Sequence, residues 1–145
     1  YGHENDSLSA KFSRWTARVI AERDPYALPR TIADGIADVF DVPQTALRVW
    51  DVADTYAQAD FARQVGEEVR LFTNGLATPY CGDGSPKSVA LLALLAPLAG
   101  VDAPAFGLLV LGSPDPRRFH DGMATDFLAQ IATLASAALT RLLPH

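Results

Sequence analysis

The chain has 145 residues, a formal net charge of −5 and a sequence pI near 5.0, with 49% hydrophobic and 20% charged residues. That balance excludes disorder and fits one domain able to bury a core. It also leaves no basic stripe to displace phosphate counterions, since Arg117–Arg118 is only a pair, so no nucleic acid is expected as a partner.

The sole cysteine, Cys81, rules out an intrachain disulfide and a Cys-based metal site, and fits a reducing, cytoplasmic setting. The opening Tyr1–Asp6 is polar and does not read as a secretion signal; with no initiator Met, residues upstream are expected. The longest apolar stretch, from Val89 to Ala96, meets Pro97 well short of the roughly 20 residues of a membrane span.

Ser7 to Arg23 carries Leu8, Phe12, Trp15 and Val19 at spacings of four, three and four, which predicts one face of an amphipathic helix ended by Asp24-Pro25. A second helix is predicted from Leu28 or Pro29 to Phe40, with Ile32, Ile36, Val39 and Phe40 inward and proline in its first turn. Ala46 to Trp50 reads as a strand. Ala53 to Gly75 reads as a third helix, ended by Asn74-Gly75. A loop over Thr78–Lys87 precedes two apolar runs, Val89–Leu95 and Phe106–Leu111, whose shape suits neighbouring strands, although the first run also fits a helix. A long last helix is predicted from Asp121 to Leu143, with an apolar stripe broader than one buried face requires. Two strands without an intervening helix predict an antiparallel pair, hence an α+β fold.

Catalytic templates are missing. There is no glycine-rich dinucleotide fingerprint, no paired-histidine metalloprotease helix and no nucleophile elbow. Gly84-Ser85-Pro86-Lys87-Ser88 imitates the end of a phosphate loop, but proline stands where glycine is needed and a strand-like run follows. His120 has no nucleophile to serve and reads as a loop or helix-entry residue. Cys81 has only Lys87 nearby to activate it and reads as a buried structural thiol. In the Ala46–Trp50 strand, Arg48 and Trp50 share one face. A cation beside an indole suits an anionic or aromatic ligand, and equally a solvent-edge cation–π pair.

The segment from Leu109 to Leu128, with Leu111-Gly112-Ser113-Pro114-Asp115, then Arg118-Phe119-His120, then Gly122-Met123 and Thr125-Asp126-Phe127-Leu128, resembles the closing strand and helix of a GAF domain. More narrowly it resembles a bacterial family called domain of unknown function 484, which the Ala46–Trp50 strand and the Tyr80-Cys81-Gly82 turn also fit. The resemblance implies an antiparallel sheet with helices on both faces and long N- and C-terminal helices. It also implies a regulatory module that often dimerises through its terminal helices, and in some branches a small-molecule pocket. The residue types of the closing segment carry turn chemistry rather than reactivity, so the motif reads as fold-specifying.

Residues 1–24 are therefore expected to form an N-terminal helix that serves as a dimer helix, and 25–145 a GAF-like domain. The leading functional expectation is a non-catalytic regulatory or scaffold homodimer, pairing through Leu8, Phe12, Trp15 and Val19 with Phe127, Leu134, Ala138 and Leu142. The alternative is a small-molecule sensor with its pocket near Arg48, Trp50, Tyr80 and Cys81, between the sheet and the Ala53–Gly75 helix. No metal or cofactor is called for.

Overall fold

A computed structural model describes residues 2–76, 79–96, 103–120 and 125–144, with side chains from Ser7 onward. Helix α1 (Gly2–Ala21) turns the stripe anticipated from spacing toward α2 (Leu28–Phe40), and Trp15 and Val19 are fully buried there. Gly35 makes the approach close: a Cβ at that position would stand 2.8 Å from Cδ1 of Trp15. The indole nitrogen of Trp15 donates to the Ile32 carbonyl at 3.1 Å. Helix α2 starts with proline in its first turn and stops at Asp41, a left-handed cap with φ of 54°.

Strands β1 (Gln44–Val49), β2 (Tyr80–Asp83), β3 (Ser88–Leu94) and β4 (Gly107–Ser113) form one antiparallel sheet in the order β1-β4-β3-β2. Register assigns the faces. Leu47, Leu109 and Leu92 lie in one row across the sheet and face the core, as do Leu111, Ala90 and Cys81. Helices α2 and α4 (Asp126–Leu139) pack on this face, through Ile32 and Ile36 and through Ile131, Ala135 and Leu139. Helix α1 lies against α2 and reaches α4. Phe12, Phe40 and Phe127 seal that junction, with Phe127 5.7 Å from Phe12 and 5.1 Å from Phe40 between ring centroids, both edge-on.

The α+β class, the antiparallel sheet and the order of the four main helices follow the expectation. The Val89–Leu95 run resolves as strand. Three features depart from it. Ala53–Gly75 is not one helix: it holds a 3₁₀ turn at Asp54–Tyr56 and then α3 (Glu67–Asn74). Between them the chain is drawn to the sheet, where the Val49 amide donates to the Phe61 carbonyl and the Arg63 amide to the Val49 carbonyl, both at 2.9 Å. An open strand edge outcompetes local helix there. Second, β2 lies inside the predicted Thr78–Lys87 loop, because pairing with β3 supplies what four residues of local pattern do not. Third, α4 gives way to a 3₁₀ turn at Thr140–Leu142. The predicted start of that helix, Asp121 with Gly122 and Met123, lies outside the described residues.

The closing motif works as scaffold. The Ser113 hydroxyl accepts from the Asp115 amide at 3.1 Å, and Asp115 accepts from the Arg117 amide at 2.9 Å. The Ser88 hydroxyl donates to the Asp115 carbonyl at 2.7 Å and accepts from the amide of buried Phe119 at 3.3 Å. Arg118 donates to the carbonyls of Phe40 and Asp41 at 2.7 and 3.0 Å, supplying partners to the end of α2.

Candidate functional site

The face of the sheet opposite the core carries Ala46 and Arg48 of β1, Leu108 and Val110 of β4, Leu91 of β3 and Tyr80 of β2. Helix α3 comes over the β1–β4 end of this face. Its Val69, with Val65, Arg63 and Trp50, joins Ala46, Arg48, Leu108 and Val110 around an apolar cavity of about 220 Å³. Trp50 is 2% exposed and donates from its indole nitrogen to the Ala105 carbonyl at 3.0 Å.

Two side chains pin α3 in this place. Arg70 forms a two-pronged bond to Asp51, Nη1 to Oδ2 at 2.7 Å and Nη2 to Oδ1 at 2.6 Å. Asp51 sits just past the end of β1 with φ of 60°, which turns its carboxylate toward the helix. The Arg70 hydrogen bonds hold the Asp51 carboxyl below its ordinary range against partial desolvation, and Asp51 in turn raises Arg70. At the other end of α3, Asn74 accepts from the Ala105 amide at 2.8 Å. Ala105 thus bonds both the indole in the cavity wall and the helix above it.

A larger, open cleft of about 1030 Å³ runs along the outer edge of β1, between Pro29, Arg30, Ala33 and Asp34 of α2 and the Gln58–Arg63 segment. It shares Ala46, Arg48 and Arg63 with the apolar cavity. Among the described residues, both guanidiniums bond only to carbonyls. Arg48 donates to Leu47 at 2.7 Å, and Arg63 donates to Asp60 and Ala62 at 2.6 and 2.7 Å. Among the described residues, neither forms an ion pair with a carboxylate.

The four residues expected to gather at a pocket do not converge. Arg48 and Trp50 line the cavity under α3. Tyr80 shares their face but stands on the opposite edge strand, in the row of Ala46 and roughly 14 Å from it at three strand spacings. Cys81 points to the other face, 8% exposed in the core, where burial pushes its thiol above the ordinary range. Adjacent strand residues face opposite ways, so Tyr80 and Cys81 were never able to serve one pocket. Residue spacing within strands also marks Leu108 and Val110 as outward-facing. Arg63, Val65 and Val69 were hidden because their segment reads as continuous helix.

The residues expected at a dimer face divide similarly. Trp15, Val19 and Leu142 are buried within the chain and have no surface left for a second copy; Phe12, Phe127, Leu134 and Ala138 are half-buried against the same core. Leu8 alone of the eight is exposed, at 39%. Among the described residues no group of three metal-ligating side chains assembles, and no helix is long and apolar enough to cross a membrane.

The architecture has solved counterparts. The GAF domain of the potassium sensor histidine kinase KdpD from Escherichia coli matches 92% of this chain and 94% of its own, with a TM-score of 0.58 at 15% identity. The GAF domain of an Acinetobacter phosphoenolpyruvate-protein phosphotransferase matches 97% and 95%, with a TM-score of 0.61 at 11% identity. The fold is that of a GAF domain. A third GAF domain, from Pseudomonas syringae pv. tomato, covers 97% of this chain with a TM-score of 0.59 at 19% identity. No family model matches the sequence, and no curated protein matches it. Within this GAF fold, the cavity lies between the outer sheet face and α3.

Proposed function

We propose that this GAF domain is a non-catalytic regulatory module that senses a small molecule with an apolar body and an anionic group. The observation that carries this reading is the apolar cavity under α3, with Arg48 and Arg63 at its junction with the cleft and neither matched to a carboxylate among the described residues. Pockets that are mostly apolar with a few placed polar groups are the usual form of small-ligand sites. At about 220 Å³ this one suits a compact ligand, its body against Trp50, Val69 and Leu108 and its charge at the arginines. The sensor kinase and phosphotransferase settings of the structural neighbours support a regulatory role. The lone buried thiol supports a cytoplasmic setting. The closing sequence motif from Leu109 to Leu128 is what supports placing the chain in the domain of unknown function 484 branch.

Native mass spectrometry of gently purified protein tests the reading, followed by thermal melts against a panel of small carboxylates and phosphates. A ligand at 100 times its dissociation constant adds about 2.7 kcal/mol and raises the melting temperature. Val69→Trp, which fills the cavity, is expected to remove that gain. A bare mass together with no shift from any compound would sink the proposal.

Homodimerisation is a second reading, favoured by one observation. Ser7 to Ala10 on the first turns of α1 are all exposed, Leu8 among them, and Ile20 on the same helix is 71% exposed. Sedimentation equilibrium is expected to give a dimer that Leu8→Glu converts to monomer. A monomer in the unsubstituted protein at tens of micromolar, on the order of ordinary dimer affinities, rejects it.

A further inference from the structure

Backbone direction along β1 leaves part of its ladder open. The Trp50 amide donates to the Phe106 carbonyl, so even-numbered residues of this strand turn their hydrogen-bonding groups toward β4. Odd-numbered residues turn outward, as Val49 does when it bonds Phe61 and Arg63. Thr45 and Leu47 also turn outward, but the chain leaves the edge at Asp60 and does not cover them. Among the described residues, their amides have no acceptor, and the Leu47 carbonyl receives only the Arg48 side chain. These positions open directly into the cleft of about 1030 Å³, whose lining includes both.

Charge distinguishes the occupant. The cleft holds three guanidiniums, Arg30, Arg48 and Arg63, against two carboxylates, Asp34 and Asp60, a balance of +1 on a chain whose net charge is −5. None of the five is in an ion pair among the described residues. A second copy pairing by this edge would bring the same arginines against one another, which cross-strand packing disfavours. An extended acidic chain meets both demands: it completes the ladder with its backbone and presents carboxylates to the arginines.

We propose that the outer edge of β1 at Thr45–Leu47 accepts an extended acidic peptide as an added strand. The peptide lies in the line that Phe61–Arg63 already follows beside Val49, between α2 and the Gln58–Asp60 segment. Gln44 to Leu47 spans about 13 Å, so roughly four peptide residues pair directly. This site adjoins the cavity under α3 and shares Arg48 and Arg63 with it, but Arg30 lines the cleft and not the cavity, and Val69 the cavity and not the cleft.

The test uses the full chain, isotopically labelled for amide exchange, and a capped eight-residue peptide alternating glutamate and valine, with a lysine–valine peptide as control. The glutamate peptide is expected to bind at least about tenfold more tightly, a difference of about 1.4 kcal/mol. It should slow exchange of the Thr45 and Leu47 amides while leaving those of Ala46 and Arg48, already bonded to β4, unchanged. Thr45→Pro removes an outward N–H without touching the β1–β4 ladder and should abolish binding. Arg30→Glu, on the exposed face of α2, should weaken binding about tenfold or more by placing a like charge in the cleft. Val69→Trp should leave peptide binding intact, so the small-ligand reading and this one fail separately. The proposal is overturned if the glutamate peptide does not bind, if both peptides bind equally, or if Arg30→Glu binds it undiminished. Protection of Thr45 and Leu47 that rises with protein concentration in the absence of peptide would instead assign the edge to a second copy.

Discussion

Replacing Trp15 by alanine tests whether α1 belongs to the domain's core or is an appendage to it. The indole is fully buried, its ring stands 5.7 Å from Phe12 and 6.3 Å from Phe40, and its nitrogen donates to Ile32. Truncating a buried tryptophan costs about 3–5 kcal/mol, depending on how far the surroundings collapse into the void. Here collapse is hindered, because the wall opposite is Gly35, with no side chain to move in, and the α1 and α2 backbones are already close. The upper half of that range applies, about 4–5 kcal/mol, against a total stability on the order of 5–15 kcal/mol. With a urea m-value of about 2 kcal/mol/M, the midpoint should fall by roughly 2 M. The assay is urea unfolding followed by far-UV circular dichroism and by the fluorescence of Trp50, which lies on the far side of the sheet. Both probes should move together. A midpoint shift below about 0.5 M, or a dichroism change that precedes the Trp50 signal, would refute the reasoning. Residues 1–24 would then be a unit separable from 25–145.

Two further predictions concern the site and the thiol. Asp51 is held below its ordinary range by Arg70, so the pair's stabilisation is present above the unfolded aspartate value near about 3.9 and is lost as pH falls through the lower folded value. Both partners are partly exposed to solvent, which screens the pair and keeps its effect on stability small. Carboxyl resonances should show Asp51 titrating at higher pH in Arg70→Ala, and amide exchange in α3 should quicken in that variant; an unchanged Asp51 titration would contradict the assignment. Cys81 should react with a thiol-specific disulfide reagent far more slowly in the folded chain than in urea, since burial suppresses the thiolate. Equal rates would show that the β2 edge opens readily.

Much of the scaffold was legible without coordinates. Leu8, Phe12, Trp15 and Val19 announce one helical face, Pro29 and Asp41 bound α2, and the apolar runs around Leu92 and Leu109 mark central strands. Periodicity reports such features because it is local. It could say that Trp15 and Val19 face inward, but not whether inward meant a partner subunit or the chain's own α2. That choice rests on Gly35 and Ile32, more than a dozen residues away. The same limit hid β2, whose four residues become a strand only beside β3, and it hid the break in Ala53–Gly75.

By itself the sequence determined an α+β chain of one domain's length and which side of each long element is apolar. It also assigned turn chemistry to the segment after β4. Tertiary structure decided the rest. Strand order separated Arg48 from Tyr80, and register put Cys81 in the core. Capture of Phe61–Arg63 by the edge of β1 set Arg63, Val65 and Val69 around the cavity. The physical reason is common to all three: a strand's outward groups are satisfied by whichever backbone arrives beside them, and nothing within the strand names that neighbour.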